Sequence, residues 1–174
     1  MRNWFYEQMA MYSAYHRDYR NQLTHHLGVP MIVFSIMVLL SPIELMQFES
    51  GPLNLATVLM AGLLLFYILS APLVGTIATF IYGGLLYFAN IVGQTNMEIV
   101  LKIFGVFFVG GWAIQFTGHL YEGRKPALFD NILQIFMAPS FLIAEVLFLL
   151  KLEKGLKAEI EERMPAYLPG AKEE

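Results

Sequence analysis

The chain has 174 residues, enough for one domain, and is 57% hydrophobic and 14% charged, against about 45–50% apolar and about 25% charged in soluble domains. That composition belongs to a membrane protein. A formal net charge of −3 gives no nucleic-acid signal, and the lack of cysteine excludes disulfides, thiolate metal sites and a thiol nucleophile.

The N-terminal stretch lacks the basic start and apolar core of a cleaved signal peptide. Residues 3–17 read instead as an amphipathic helix, with Phe5, Met9, Tyr12 and His16 (or Tyr15) on one face. Its aromatics suit a membrane boundary, so it either lies on the membrane or caps the bundle. The first apolar span is expected at Leu27–Leu45, with Pro30 in its first turn and Pro42 at its end. The second runs over Leu53–Ser70 and the third over Pro72–Val92. The fourth covers Met97–His119, and the fifth Asn131–Leu152, capped by Asp130. Each is close to the twenty or so residues needed to cross a bilayer. Gly83, Gly84, Gly105, Gly110 and Gly111 would allow close helix approach. The expected fold is therefore all-α: a single multi-pass membrane domain over 1–152, of about five apolar helices plus the N-terminal amphipathic helix, then a charged tail over 153–174.

Polar residues gather in two motifs. The first runs from His16 through Asn21, His25 and His26 to Pro30. The second runs from Gln115 through Gly118, His119, Tyr121, Glu122, Arg124 and Lys125 to Asn131. Four crossings separate His25 from His119, and an even number returns the chain to the same face. Arg2, Arg17, Arg20, Arg124 and Lys125 also fall on that face, which the positive-inside rule makes cytoplasmic. A full fifth span would strand Lys151, Lys154, Lys157 and Arg163 on the other side. Either Pro139 breaks that segment into a re-entrant piece or one span is misplaced.

At about 100° per residue, His16 and His25 point to opposite sides of one straight helix. They converge only if the chain breaks between them, within Asp18 to Thr24, with Asn21 or Thr24 capping the next helix. His119 and Glu122, three apart, share a face. Histidine is the commonest metal ligand, and His16, His25 and His119 form a candidate site, with Glu122 as a further candidate. His26 points away from His25 and is left a supporting role or none. Histidine with carboxylate and no thiolate suits Fe(II), Mn(II) or Zn(II). Arg124 and Lys125 are candidates for a substrate carboxylate or ordinary membrane anchors. Tyr15, Tyr121 and Asn21 are either donors supporting the site or boundary residues, and Gln115 and Gln134 could line a polar pocket or hydrogen-bond across helices. Lys102 and Glu145, deep in the fourth and fifth spans, are expected to pair far from the metal.

The spacing H-x4-N-x3-H-x4-P over His16, Asn21, His25 and Pro30 recurs in a known family, together with Gly118-His119, Glu122, Arg124, Pro126-Ala127-Leu128 and Asp130-Asn131. Over roughly residues 3–150 the chain resembles the MPO-like family of membrane enzymes that turn phytosphingosine into odd-numbered fatty acids. The resemblance implies an Fe(II)-dependent dioxygenase that shortens 2-hydroxy fatty acids by one carbon with O2. It makes His16, His25 and His119 the iron ligands, while the compact size and the lack of eukaryotic retention signals make a bacterial inner membrane the expected setting. Glu122, Tyr121 and Asn21 are the remaining catalytic candidates, and Arg124, Lys125 and Gln115 the substrate-binding ones. The alternative is a membrane scaffold or lipid-binding protein whose histidines are structural or hold zinc.

Overall fold

The computed structural model describes residues 1–49 and 51–169. Helix α1 covers Arg2–Tyr15 and buries Phe5, Met9, Tyr12 and Tyr15. It caps the bundle: the Phe5 ring meets Phe66 edge-on at 5.7 Å, and Trp4 meets the same ring at 5.9 Å. It ends at Tyr15, two residues short of the expected limit, with His16 as its C-cap.

Helix α2, Tyr19–Leu40, starts earlier than expected because Asp18 caps it, accepting from the Arg20 N–H at 2.8 Å. Asn21 and Thr24 are therefore inside the helix, and Pro30 lies mid-helix instead of in the first turn. The cost of a mid-helix proline is bearable where neighbouring helices hold the segment. The helix stops at Leu40, and a hairpin of β1, Glu44–Phe48, and β2, Gly51–Asn54, follows, the one departure from an all-α fold among the described residues.

Asn54 then caps α3, Leu55–Ser70, by accepting from the Thr57 N–H at 2.9 Å. Helix α4, Pro72–Gly93, opens on proline, and α5, Met97–Glu122, is capped by Asn96 and closed by Gly123 in the left-handed region, φ +66°. Three helices, α2, α4 and α5, are long and apolar enough to cross a membrane; α3 is a shorter apolar helix of 16 residues.

The fifth expected span is broken. Residues 127–129 and 132–136 form 3-10 turns, and the second is capped by Asn131, not Asp130. Helix α6, Ala138–Leu149, has 12 residues, about 18 Å at 1.5 Å per residue, well short of a roughly 30 Å hydrocarbon core. Lys151 and Glu153 then take positive φ, and α7, Lys154–Arg163, turns back to pack Leu156 and Ile160 against α1. Arg163 lies 3.5 Å from Glu7, so the tail rejoins the α1 end of the bundle.

Helices α2 and α5 form the most extensive pair. A Cβ on Gly28 would sit 2.7 Å from Gln115 Cγ, and one on Gly111 would sit 2.7 Å from Ile32 Cγ1. One on Gly118 would strike Thr24 and lie 2.6 Å from Asn21 Oδ1. Of the five glycines expected at interfaces, Gly111 is one, and Gly110 approaches Met31; Gly83, Gly84 and Gly105 face open space. At the far end, Ser41 and Asn54 both donate to Asn90 Oδ1 at 3.0 Å, tying α2, α3 and α4. The expected Lys102–Glu145 pair does not form. Lys102 pairs with Glu98 at 2.6 Å on an exposed face. Glu145 lies 3.4 Å from His26, beside the histidine end, because the 3-10 turns delay α6 until Ala138 and leave Glu145 only about two turns into it.

Candidate metal centre

The break between α1 and α2 is held by side chains from α5 and α2. Glu122, at the end of α5, accepts from the Arg17 N–H at 3.0 Å and the Asp18 N–H at 2.8 Å. Gln22 donates to the His16 carbonyl at 2.9 Å. With these N–H groups and the His16 carbonyl satisfied outside a helix, the chain turns sharply. His16 and His25 then face each other, and the antiparallel α5 brings His119 to both.

The three imidazoles are buried, and their ring centroids lie 4.5, 5.2 and 5.0 Å apart. Their ligand-capable atoms all fall within 4.8 Å of one another, close to the separation that ligand bonds of about 2.0–2.1 Å allow. These three residues could hold a metal ion. His16 Nδ1 donates to the Tyr12 carbonyl at 2.7 Å, and His25 Nδ1 to the Asn21 carbonyl at 2.9 Å. A carbonyl only accepts, so these contacts place the proton on Nδ1 and leave each Nε2 lone pair free. His119 Nδ1 is buried without a partner. Burial, reinforced by the neighbouring His25, pushes the His16 imidazole well below its ordinary range, which keeps it in the neutral form that ligation needs. The Tyr12 ring stacks on His16 at 4.0 Å.

A cavity of about 40 Å³ adjoins the cluster, lined by all three histidines with Tyr12, Gln115 and Gln134 among others. One buried water needs about 10–15 Å³, so the cavity has room for an ion and a few small ligand atoms. Gln115 is buried there. Gln134 donates to Gln8 Oε1 at 2.8 Å, and its own Oε1 is buried and unpartnered.

The other candidates are placed differently. Glu122 is outside the histidine group, because its oxygens are turned to the backbone of residues 17 and 18 and to Asn21 Nδ2, at 3.0 Å. Asn21, fully buried, links Glu122 to His25. The Arg124 guanidinium lies over the Tyr15 ring at 3.3 Å and donates to the Ala14 and Tyr167 carbonyls, at 3.0 and 3.1 Å. Lys125 pairs with Asp130 at 2.6 Å, and Tyr15 also donates to Asp130, at 2.6 Å. An open hollow of about 490 Å³ on the outer side of His119 is lined by Arg124 and Lys125 among others. Tyr121 is exposed beneath the Arg20 guanidinium. His26 points away to Glu145, as its position after His25 implied. Sequence reasoning missed the part played by Tyr12. The signal was its place one helical turn before His16, where its carbonyl can take the imidazole proton.

Comparison with known proteins gives the same family that the motifs resemble. The family described as "2-hydroxy-palmitic acid dioxygenase Mpo1-like" matches residues 2–150. The chain is 34% identical over 157 residues to the 2-hydroxy-palmitic acid dioxygenase MPO1 of Saccharomyces cerevisiae, covering 88% of this chain and 86% of that protein. No solved structure matches. With the family pattern running through nearly all of the helical bundle and all three clustered histidines inside it, the chain belongs to the Mpo1-like family.

Proposed function

We propose that this protein is an Fe(II)-dependent dioxygenase that shortens 2-hydroxy fatty acids by one carbon, using O2 as the oxidant. The observation that carries this is the buried convergence of His16, His25 and His119 in a chain similar to a 2-hydroxy-palmitic acid dioxygenase. The donor set fits a divalent first-row ion: two Nε2 lone pairs are free, and the unpartnered His119 Nδ1 is a buried polar atom that a ligand bond would satisfy. Fe(II) held by His16, His25 and His119 would supply Lewis acidity toward the 2-hydroxy acid and the capacity to activate O2.

The chain's own residues orient and enclose. The Tyr12 and Asn21 carbonyls fix the rings of His16 and His25, and Glu122 holds the turn between them. Gln115 and Gln134 offer amides to the polar head of the substrate beside the histidines, in a cavity whose remaining lining is mostly apolar. Lys125, more exposed than Arg124 and beside His119, attracts the carboxylate during approach. Arg124 is occupied with Tyr15 and two carbonyls and acts as a brace. Tyr121, exposed under Arg20, takes no part. The reaction balances without a nicotinamide, flavin or 2-oxoglutarate. One 2-hydroxy acid and one O2 give the acid one carbon shorter, CO2 and water. The substrate gives up four electrons and O2 takes four.

In the same proposal, α2, α4 and α5 cross the bacterial inner membrane, the shorter α3 carries the chain back from the Asn54–Asn90 end to the histidine end, and α6 is embedded in it. The histidine end faces the cytoplasm, supported by Arg17, Arg20, Arg124 and Lys125 and by the return of α7 with its basic residues to α1. The test is O2 uptake by anaerobically purified, Fe(II)-loaded protein given 2-hydroxypalmitate. Equimolar O2 loss, CO2 and pentadecanoate are expected. Turnover that requires NADPH or 2-oxoglutarate refutes the reaction. Stoichiometric zinc with no O2 uptake makes the protein a lipid-binding scaffold.

A further inference from the structure

A second, much larger space lies next to the metal cavity. Its volume is about 680 Å³, and it runs along the seam between α2 and α3, roofed by Trp4 and by residues 133, 135–137 and 139. Val33 and Ile135 line both this groove and the histidine cavity. We propose that the groove holds the acyl chain of the 2-hydroxy acid, entering from the bilayer side, with Val33 and Ile135 at the junction where the chain passes to the metal. The proposal rests on the substrate class proposed above.

The chemistry of the lining fits an alkyl chain and little else. Every wall residue is apolar, and no charged side chain contributes. On α3 the groove extends from Phe66 to Ala56, about 15 Å at 1.5 Å per residue. That is half of a roughly 30 Å hydrocarbon core, the depth of one leaflet's acyl chains. The volume is in the ~300–1,000 Å³ range of pockets that enclose small molecules. The rim is open to the side: Leu59, Leu133 and Phe136 are about half exposed. A chain lying in one leaflet could slide in sideways while its polar head reaches Gln115, Gln134 and the histidines. The short α3 makes this possible, because α3 packs mainly on α4 and leaves the α2 side unsealed.

Gly62 is part of the wall, and a Cβ there would meet nothing within 4 Å. A side chain at this position projects into empty space halfway down the groove, and replacing a helical glycine also favours the helix. Gly62→Phe is thus a plug that need not disturb folding. Gly83→Phe, on α4 with nothing within 4 Å of its Cβ, is the control.

The test uses full-length, metal-loaded protein in nanodiscs, with 2-hydroxypalmitate carrying a diazirine at its last carbon. After irradiation, mass spectrometry is expected to find adducts on Leu40, Ala56, Leu59 or Met60, suppressed by excess unlabelled 2-hydroxypalmitate. In Gly62→Phe these adducts should fall at least fivefold, and in Gly83→Phe they should not change. In turnover, the ratio of kcat/KM for 2-hydroxypalmitate to that for 2-hydroxyoctanoate should drop at least tenfold in Gly62→Phe. Adducts confined to outward-facing residues such as Phe80 or Leu101, or groove adducts that unlabelled substrate does not suppress, overturn the proposal. An unchanged chain-length ratio overturns it too. Competed groove adducts in a protein with no turnover would keep the groove and defeat the reaction assigned above.

Discussion

Removing the Glu122 carboxylate tests whether the metal centre depends on the turn that Glu122 holds. Three donors converge on it: the Arg17 and Asp18 N–H groups and Asn21 Nδ2, all at 2.8–3.1 Å. Hydrogen bonds to a charged group contribute about 1.5–3 kcal/mol each. The Arg17 contact is exposed, and water replaces it in a variant. Glu122→Ala should therefore destabilise the fold by about 2–4 kcal/mol in total. The larger effect falls on the site, because this turn sets the angle between His16 and His25. Loss of a group that orients ligands typically costs 10–100-fold in metal affinity, and that is the expected weakening of Fe(II) binding, measured anaerobically by competition with a chelator. Glu122→Gln keeps one carbonyl acceptor and should recover part of both losses. If Glu122→Ala loses the metal as completely as His119→Ala while its thermal unfolding is unchanged, Glu122 is a ligand and the brace is wrong. If neither affinity nor stability moves, the turn is held by something else.

Single alanine substitutions at His16, His25 or His119 should each abolish metal binding with helical circular dichroism intact, since the α2–α5 packing lies mostly outside these side chains. A collapse of helicity would show that the cluster is structural. Gly118→Leu should destabilise by about 1–3 kcal/mol through overpacking and weaken metal binding, because its side chain must push Asn21 and Thr24 away from α5; Gly105→Leu, which faces open space, should do neither in thermal unfolding and binding assays. Lys102→Ala breaks only an exposed i,i+4 pair and should change unfolding free energy by less than about 0.5 kcal/mol. His26→Leu, which leaves the buried Glu145 carboxylate alone beside α6, should cost more, by about 1–3 kcal/mol.

Much of the site was legible because a few chemical facts constrain it tightly. Scarce polar residues in an apolar chain had to gather somewhere. The even number of helices between His25 and His119 returned both to one end, and the need for a break between His16 and His25 followed from helix geometry. The details that failed depended on long-range partners. Nothing local marks Asp18 as the cap over Asn21 or Thr24; Glu122, more than a hundred residues away, decides it by occupying the preceding N–H groups. Nor does composition separate Gly118, pressed on α2, from Gly105, which faces outward. Lys102 and Glu145 looked like a pair because each was placed by counting along straight spans, and α6 is not one.

That failure of the fifth span is where fold and function meet. An unbroken helix over residues 131–152 would pack along the bundle and close the side of the histidine cluster. Instead the 3-10 turns at 132–136 set Gln134 against the cavity and Ile135 between cavity and groove, while Phe136 accepts a hydrogen bond from the buried Tyr67 hydroxyl through its carbonyl. Irregular backbone at membrane depth is tolerated only where protein or a cavity takes up its polar groups. Here the Asn131 side chain takes the Leu133 N–H and the Tyr67 hydroxyl the Phe136 carbonyl, while Gln8 accepts from the Asn131 and Gln134 side chains. The break that defeats a simple count of spans is held in place by α1 and α3, the same elements that present His16 and one wall of the groove. Stabilising this segment as a regular helix should therefore cost the protein its lateral opening, even with all three histidines in place.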